Sequence, residues 1–193
     1  MRRKTFDGLM ATGGLVLAVV LLVAGGLLTW AHTFVTDQVR EQLTAQKIIM
    51  PEGEAIADPA VQPYLSKYAG QPLTTGAQAE AYANHYIAVH LAEASGGRTY
   101  AELSTASRAN PDDAELAGLV ASSFKGETLR GLLLNAYAFG TMGQIALYAA
   151  IASFVGAGLL LLMSVLGLVH ARRTDPAEEL GNHSRRTEPV LVG

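Results

Sequence analysis

Residues 8–30 read GLMATGGLVLAVVLLVAGGLLTW, twenty-three positions without a formal charge. At 1.5 Å per residue a helix of that length reaches roughly 35 Å, enough to cross bilayer hydrocarbon with modest tilt. Arg2, Arg3 and Lys4 stand before the run, and Trp30 closes it. Basic residues hold the inner end of a span, and an indole ring favours the lipid–water boundary. A basic start followed by an apolar run also opens a secretory signal. This run is too long for one and no A-x-A site follows it, so an uncleaved signal anchor is expected.

A second stretch without formal charge lies between Arg130 and Arg172. It is too long for one crossing. Its purest part, Ile145 to Val169, reads as the second span. The part before it carries Asn135, Tyr137, Thr141 and Gln144 and reads as a helical stalk leaving the membrane. A break at Gly140–Gly143 with a re-entrant piece is the alternative. Arg172 and Arg173 flank the second span as Arg2, Arg3 and Lys4 flank the first, which predicts that both ends face the cytoplasm across the plasma membrane. Between the spans lie seven Lys/Arg and twelve Asp/Glu, a net charge of -5. The expected layout is a basic cytoplasmic N-terminus at 1–7, transmembrane helices at 8–30 and 144–169, an extracytoplasmic helical domain with its stalks at 31–143, and a disordered cytoplasmic tail at 170–193.

The outer segment is too long for a simple connection and reads as helical throughout. Val35, Val39 and Leu43 recur every four residues on a piece that continues the first span outward and ends at Pro51 and Gly53. Four prolines, Pro51, Pro59, Pro63 and Pro72, mark a less regular stretch with a short helix near 60–69, stopped by Gly70. Thr75 with Gln78, and Thr99 with Glu102, are capping-box pairs that open two more helices. The first of these puts Ala79, Tyr82, Tyr86 and Val89 on one stripe and stops at Gly96-Gly97. Asn110-Pro111 starts another helix, which Gly126 is expected to separate from the last. Strand-like alternation and fixed-period repeats are lacking, so the fold class is all-α. Leu129, Leu132 and Leu133 are expected to face Val35, Val39 and Leu43 across an antiparallel stalk.

The 193 residues include no cysteine. That excludes disulfides, thiolate zinc sites, iron–sulfur clusters, c-type haem and a cysteine nucleophile. A net charge of -3 argues against nucleic acid as a partner. Phosphate-binding glycine loops and a nucleophile elbow are missing, and neither span carries a mid-depth ionisable group for a proton relay. His85, His90 and Glu93 are the weak candidates for a metal. The two histidines are five positions apart, about 140° around a helix, so they need a further ligand from elsewhere, such as Asp58 or Glu102. No cofactor and no enzymatic activity are expected. Gly14 and Ala18 on the first span, and Ala149, Ser153 and Ala157 on the second, are small residues four apart. They serve either to pack the two spans together or to dock another membrane protein.

The stretches RRKTFDGLMATGGLVLAVVLLVAGGLLTWAHTFV (2–35) and KGETLRGLLLNAYAFGTMGQIAL (125–147) resemble a family of small actinobacterial integral membrane proteins. The resemblance covers most of residues 1–171. Some members carry the label of an aromatic ring-opening dioxygenase, a chemistry that needs His and carboxylate iron ligands with no matching set here. The resemblance implies an actinobacterial plasma membrane and assigns no role to a residue. The functional expectation is a non-catalytic accessory or scaffold protein, in contact with lipid and with a membrane-protein partner or a second copy. The alternative is an extracytoplasmic ligand-binding or sensor module signalling sideways to a partner, for which a closed pocket lined by Tyr82, Tyr86 and Tyr100 is the expected mark.

Overall fold

The computed structural model describes residues 3–173. Arg2, the side chains of Arg3 and Lys4, His183 and the tail from residue 174 onward lie outside the described residues. Six α-helices follow in order: α1 (Arg3–Ala45), α2 (Gln62–Leu65), α3 (Gly76–Tyr82), α4 (Ala88–Ser95), α5 (Tyr100–Ala109) and α6 (Ala114–Arg173). The described residues form no strand, and Ile49 and Pro72 make an isolated bridge. The chain is all-α, with two helices, α1 and α6, long and apolar enough to cross a membrane.

The described chain divides into two compact units. One holds the residues up to Thr29 and those from Tyr148; the other is Trp30–Leu147. The boundaries expected from sequence fall at 30/31 and 143/144.

In the first unit α1 and α6 pair along a seam with a seven-residue repeat. Ala11 and Ala18 on α1, and Ala150, Ala157, Ser164 and Ala171 on α6, are nearly or fully buried. Gly25 continues the α1 series. A seven-residue period keeps one face of each helix on its neighbour when the two coil left-handedly. Small side chains make the approach close: a Cβ on Gly25 would come within 2.9 Å of the Phe154 ring, and one on Gly14 would meet the Ser164 hydroxyl. Away from the seam the large residues point outward. Leu9, Val16, Val23, Ile151, Leu159, Leu162 and Met163 each expose more than half their area. Only 17% of the most apolar window of either helix is buried, whereas a core helix of a water-soluble domain buries most of such a window. The hydroxyls of Thr12 and Ser153 bond the carbonyls of Gly8 and Ala149, each at 2.8 Å, so neither is left unpaired on an apolar face.

In the second unit α1 ends at Ala45, before the Pro51 and Gly53 stop read from sequence. The chain turns at Lys47, which takes a left-handed φ of 54°. Residues 48–50 then bond back to 70–73, through Met50 N–H to the Gln71 carbonyl at 2.8 Å and Leu73 N–H to the Ile48 carbonyl at 2.9 Å. Those bonds require a strong bend beyond α1, which a helix running to Pro51 would forbid. Met50, Val61, Leu65, Leu73, Ala79, Ala83, Leu43 and Leu133 form the core. Tyr82, Tyr86 and Val89 pack against it, and Ala79 lies within it, as the Ala- and Tyr-rich stripe predicts.

Both capping boxes form. Gln78 N–H donates to the Thr75 hydroxyl at 3.3 Å and Glu102 N–H to that of Thr99, also at 3.3 Å, with the reciprocal bonds in place. Gly96 caps α4 in the left-handed region at φ 61°. Asp113 Oδ1 accepts the Leu116 N–H at 2.9 Å and opens α6.

Two expectations fail at α6. The helix is continuous through Gly126 and through Gly140–Gly143, so Gly126 separates nothing and no re-entrant break occurs. A mid-helix glycine costs roughly 1 kcal/mol of propensity. At Gly126 the missing side chain makes room instead, since a Cβ there would lie 2.6 Å from a Leu91 methyl. Leu132 is the second correction: Leu133 is 3% exposed and faces the core, but Leu132 is 62% exposed and turns away from it.

Candidate functional site

Among the described residues, one polar arrangement surrounds a widened turn between α3 and α4. Residues Ala83–Ile87 form a π-turn in which the Ala88 N–H reaches back five residues to the Ala83 carbonyl. Such turns recur at functional sites because they re-aim side chains. The Ala83 carbonyl also accepts Arg130 Nε from α6 at 3.1 Å. Arg130 Nη2 donates to Asn84 Oδ1 at 3.4 Å, and its Nη1 donates to both Glu127 carboxylate oxygens at 3.0 and 2.8 Å. Asn84 Nδ2 donates to Glu80 Oε1 at 3.0 Å. That oxygen lies 4.0 Å from His85 Nε2, and the His85 ring stacks flat on Tyr64 with centroids 3.4 Å apart.

His90 does not join this chain. Its Nδ1 sits 2.8 Å from the Tyr86 carbonyl, and its ring tilts against that of Tyr86. The metal candidates His85, His90 and Glu93 are therefore not brought together. Among the described residues no group of three His, Asp or Glu side chains is placed to hold a metal ion. His90 is held by a hydrogen bond to a backbone carbonyl, and His85 by ring stacking with a carboxylate 4.0 Å away. What the π-turn network can do is hold α3–α4 to α6 by charge-assisted bonds.

Tyr82 and Tyr86 stack at 5.2 Å. Burial, reinforced by the neighbouring Tyr86, pushes the Tyr82 phenol above its ordinary range. A phenol harder to ionise when folded contributes stability that is intact below pH ~10 and lost as pH climbs through its raised value. An alkaline melt of the full chain in detergent should fall less steeply above pH ~10 in Tyr82→Phe than in wild type. A closed pocket shared with Tyr100 is not what these tyrosines build. Tyr100 is 39% exposed and lies against Phe124, centroids 5.7 Å apart.

On the outer part of α6, Arg130 bonds across to Ala83 and Asn84. Thr141 bonds the Tyr137 carbonyl of its own helix at 2.9 Å. The cross-helix tie comes from His32, whose Nδ1 lies 2.8 Å from the Gly143 carbonyl. A carbonyl can only accept, so Nδ1 carries the proton in this contact.

A groove along α1 and α6 is the arrangement that sequence reading missed. Within residues 30–147 it encloses about 530 Å³ between Phe34–Ile48 and Leu129–Phe139. Leu43 and Leu133 are its buried floor, while Phe34, Leu132 and Phe139 stand at its edges more than half exposed. Gln38, Gln42 and Gln46, four apart, line one wall, and Asn135 stands on the α6 side. No lining residue carries a formal charge. The signal was present in sequence: Phe34, Gln38, Gln42 and Gln46 share one helical face next to the Val35–Val39–Leu43 stripe.

The small residues named from sequence sit as follows. Ala18 and Ala157 are fully buried in the seam of the first unit, and Gly14 lies against Ser164. Ser153 is half-buried, and Ala149 gives way to its neighbour Ala150 as the buried position. Gly14, Ala18 and Ala157 thus lie in the chain's own helix pair. Trp30 is 63% exposed and stacks on Phe34 at 5.6 Å; Arg172 and Arg173 are exposed in the last turn of α6.

No protein-family model, curated protein or solved structure matches this chain. What it does is therefore read from its own residues.

Proposed function

We propose that this chain is a two-span plasma-membrane protein with both ends cytoplasmic and residues 31–143 outside, acting without catalysis as an accessory or scaffold subunit of a larger membrane complex. The observation that carries the reading is exposed apolar area in the segment assigned to water. Between residues 30 and 147, Phe34, Phe124, Leu132, Phe139 and Met142 each expose more than half their surface. Phe34, Leu132 and Phe139 edge one groove, and soluble surfaces rarely leave a large contiguous apolar patch uncovered. Further support comes from the outward leucines and valines of α1 and α6, which suit lipid, and from Arg172 and Arg173, which suit the inner face. The resemblance to actinobacterial membrane proteins agrees with a plasma-membrane address.

The association is testable on the full chain. Extracted from its native membrane in a mild detergent, it should elute with a second polypeptide, or a second copy, at fixed stoichiometry through a high-salt wash. A particle holding one copy and nothing else contradicts the proposal. The ligand-binding or sensor reading is the second one, and the groove at Phe34–Ile48 and Leu129–Phe139 is the observation that favours it.

A further inference from the structure

We propose that the groove between Phe34–Ile48 and Leu129–Phe139 binds the apolar chain of an uncharged lipid drawn from the outer leaflet. The inference rests on the reading that α1 and α6 cross a membrane, and it deepens the ligand-binding alternative.

Charge selects the ligand class. The lining is free of Lys, Arg, His, Asp and Glu, so it offers no counter-ion to a phosphate, a fatty-acid carboxylate or a charged peptide. Arg40, on the same stretch of α1, lines a different cavity with Thr74–Ala77 and Gln144. The polar groups that remain are amides. Gln38 and Gln42 stand about 6 Å apart along α1, and Gln46 follows in the turn just past Ala45. An amide both donates and accepts, which matches an ester carbonyl or a hydroxyl. Among the described residues these side-chain amides are bonded to no protein group.

Size suits a small apolar occupant. The groove holds about 530 Å³, within the range of small-molecule sites, about 300–1,000 Å³. A flexible hydrocarbon chain fits that space. Position supplies the route. Phe34 lies four residues beyond Trp30, so the groove opens about 6 Å along α1 from the end of the charge-free run. A lipid chain lifted from the leaflet would exchange hydrocarbon for Leu43, Leu133, Phe34 and Phe139.

The test uses the full-length chain in phosphatidylcholine vesicles doped with a diazirine-bearing diacylglycerol, followed by peptide mapping. Light should label residues 34–48 and 129–139, and excess unlabelled diacylglycerol should suppress that labelling but not labelling of residues 8–30. The double variant Gln42→Glu, Leu132→Glu changes two exposed positions and should lose groove labelling at least fivefold while keeping wild-type labelling of the spans. A diazirine-bearing phosphatidic acid should label the groove at least fivefold less than the neutral probe. Labelling confined to residues 8–30 and 145–169 overturns the groove proposal and leaves the membrane reading standing. No labelling anywhere overturns both. Equal labelling by the anionic probe overturns the choice of an uncharged ligand, and groove crosslinks to a second copy replace the lipid with self-association.

Discussion

Truncating Leu65 to alanine should destabilise the Trp30–Leu147 unit by about 2–5 kcal/mol. Leu65 is fully buried in a core shared with Met50, Val61 and Leu73. Removing its branched end deletes dispersion contacts on every side and leaves a void that a short helix such as α2 cannot collapse to fill. The loss is large against the total stability of a small domain. Native-state hydrogen exchange of the full chain in detergent reads it directly. Amides that bond residues 48–50 to 70–73 should exchange about 30-fold to several-thousand-fold faster, the range corresponding to that energy. Unchanged exchange would show that the core does not depend on Leu65. A surface control such as Ala94→Ser should leave the rates within a few-fold.

The second large effect belongs to the α1–α6 seam. Gly14→Leu places a branched side chain where even a Cβ meets the Ser164 hydroxyl. Overpacking of this kind costs about 1–3 kcal/mol. Here it has to be met by separating two helices, because the seam is lined by groups too small to retreat. Gly13→Leu is the matched control, since a Cβ at Gly13 meets nothing within 4 Å. The absence of native cysteine gives a clean readout. A Cβ built at Gly167 lies 3.5 Å from that of Ala11, at the short end of disulfide geometry. The pair Ala11→Cys, Gly167→Cys should crosslink readily in wild type and with Gly13→Leu. Adding Gly14→Leu should slow it at least tenfold. Equal crosslinking in all three backgrounds would mean that the helices do not meet through Gly14.

How much of this was readable beforehand depends on the range of the interaction. The two apolar runs, the boxes at Thr75–Gln78 and Thr99–Glu102 and the stop at Gly96 are local features, and they stand where their residues put them. Gly126 misled because helix propensity is a weak prior; packing against Leu91 outweighs the propensity cost. The small-residue ladder was read with a period of four, which selects Ala149, Ser153 and Ala157. The paired helices use a period of seven, which selects Ala150, Ala157, Ser164 and Ala171. Leu132 followed from the same error of phase, since one residue shifts a side chain by about 100°. The π-turn at Ala83–Ile87 has no signature in ANHYI. Its Ala83 carbonyl accepts a bond from Arg130, forty-seven residues away. The groove was half legible, in the Gln38–Gln42–Gln46 spacing, but its other wall comes from α6.

The central claim is that α1 and α6 each cross a membrane and present the helices between them to the outside. Single cysteines at Ala94, on the exposed face of α4, and at Ser184, in the C-terminal tail, test it most directly in an otherwise cysteine-free chain. In intact cells a membrane-impermeant maleimide should modify Ala94→Cys and spare Ser184→Cys, with both reacting once the membrane is opened. Protection of position 94 in intact cells, or release of the whole protein from the membrane by alkaline carbonate, would contradict the account.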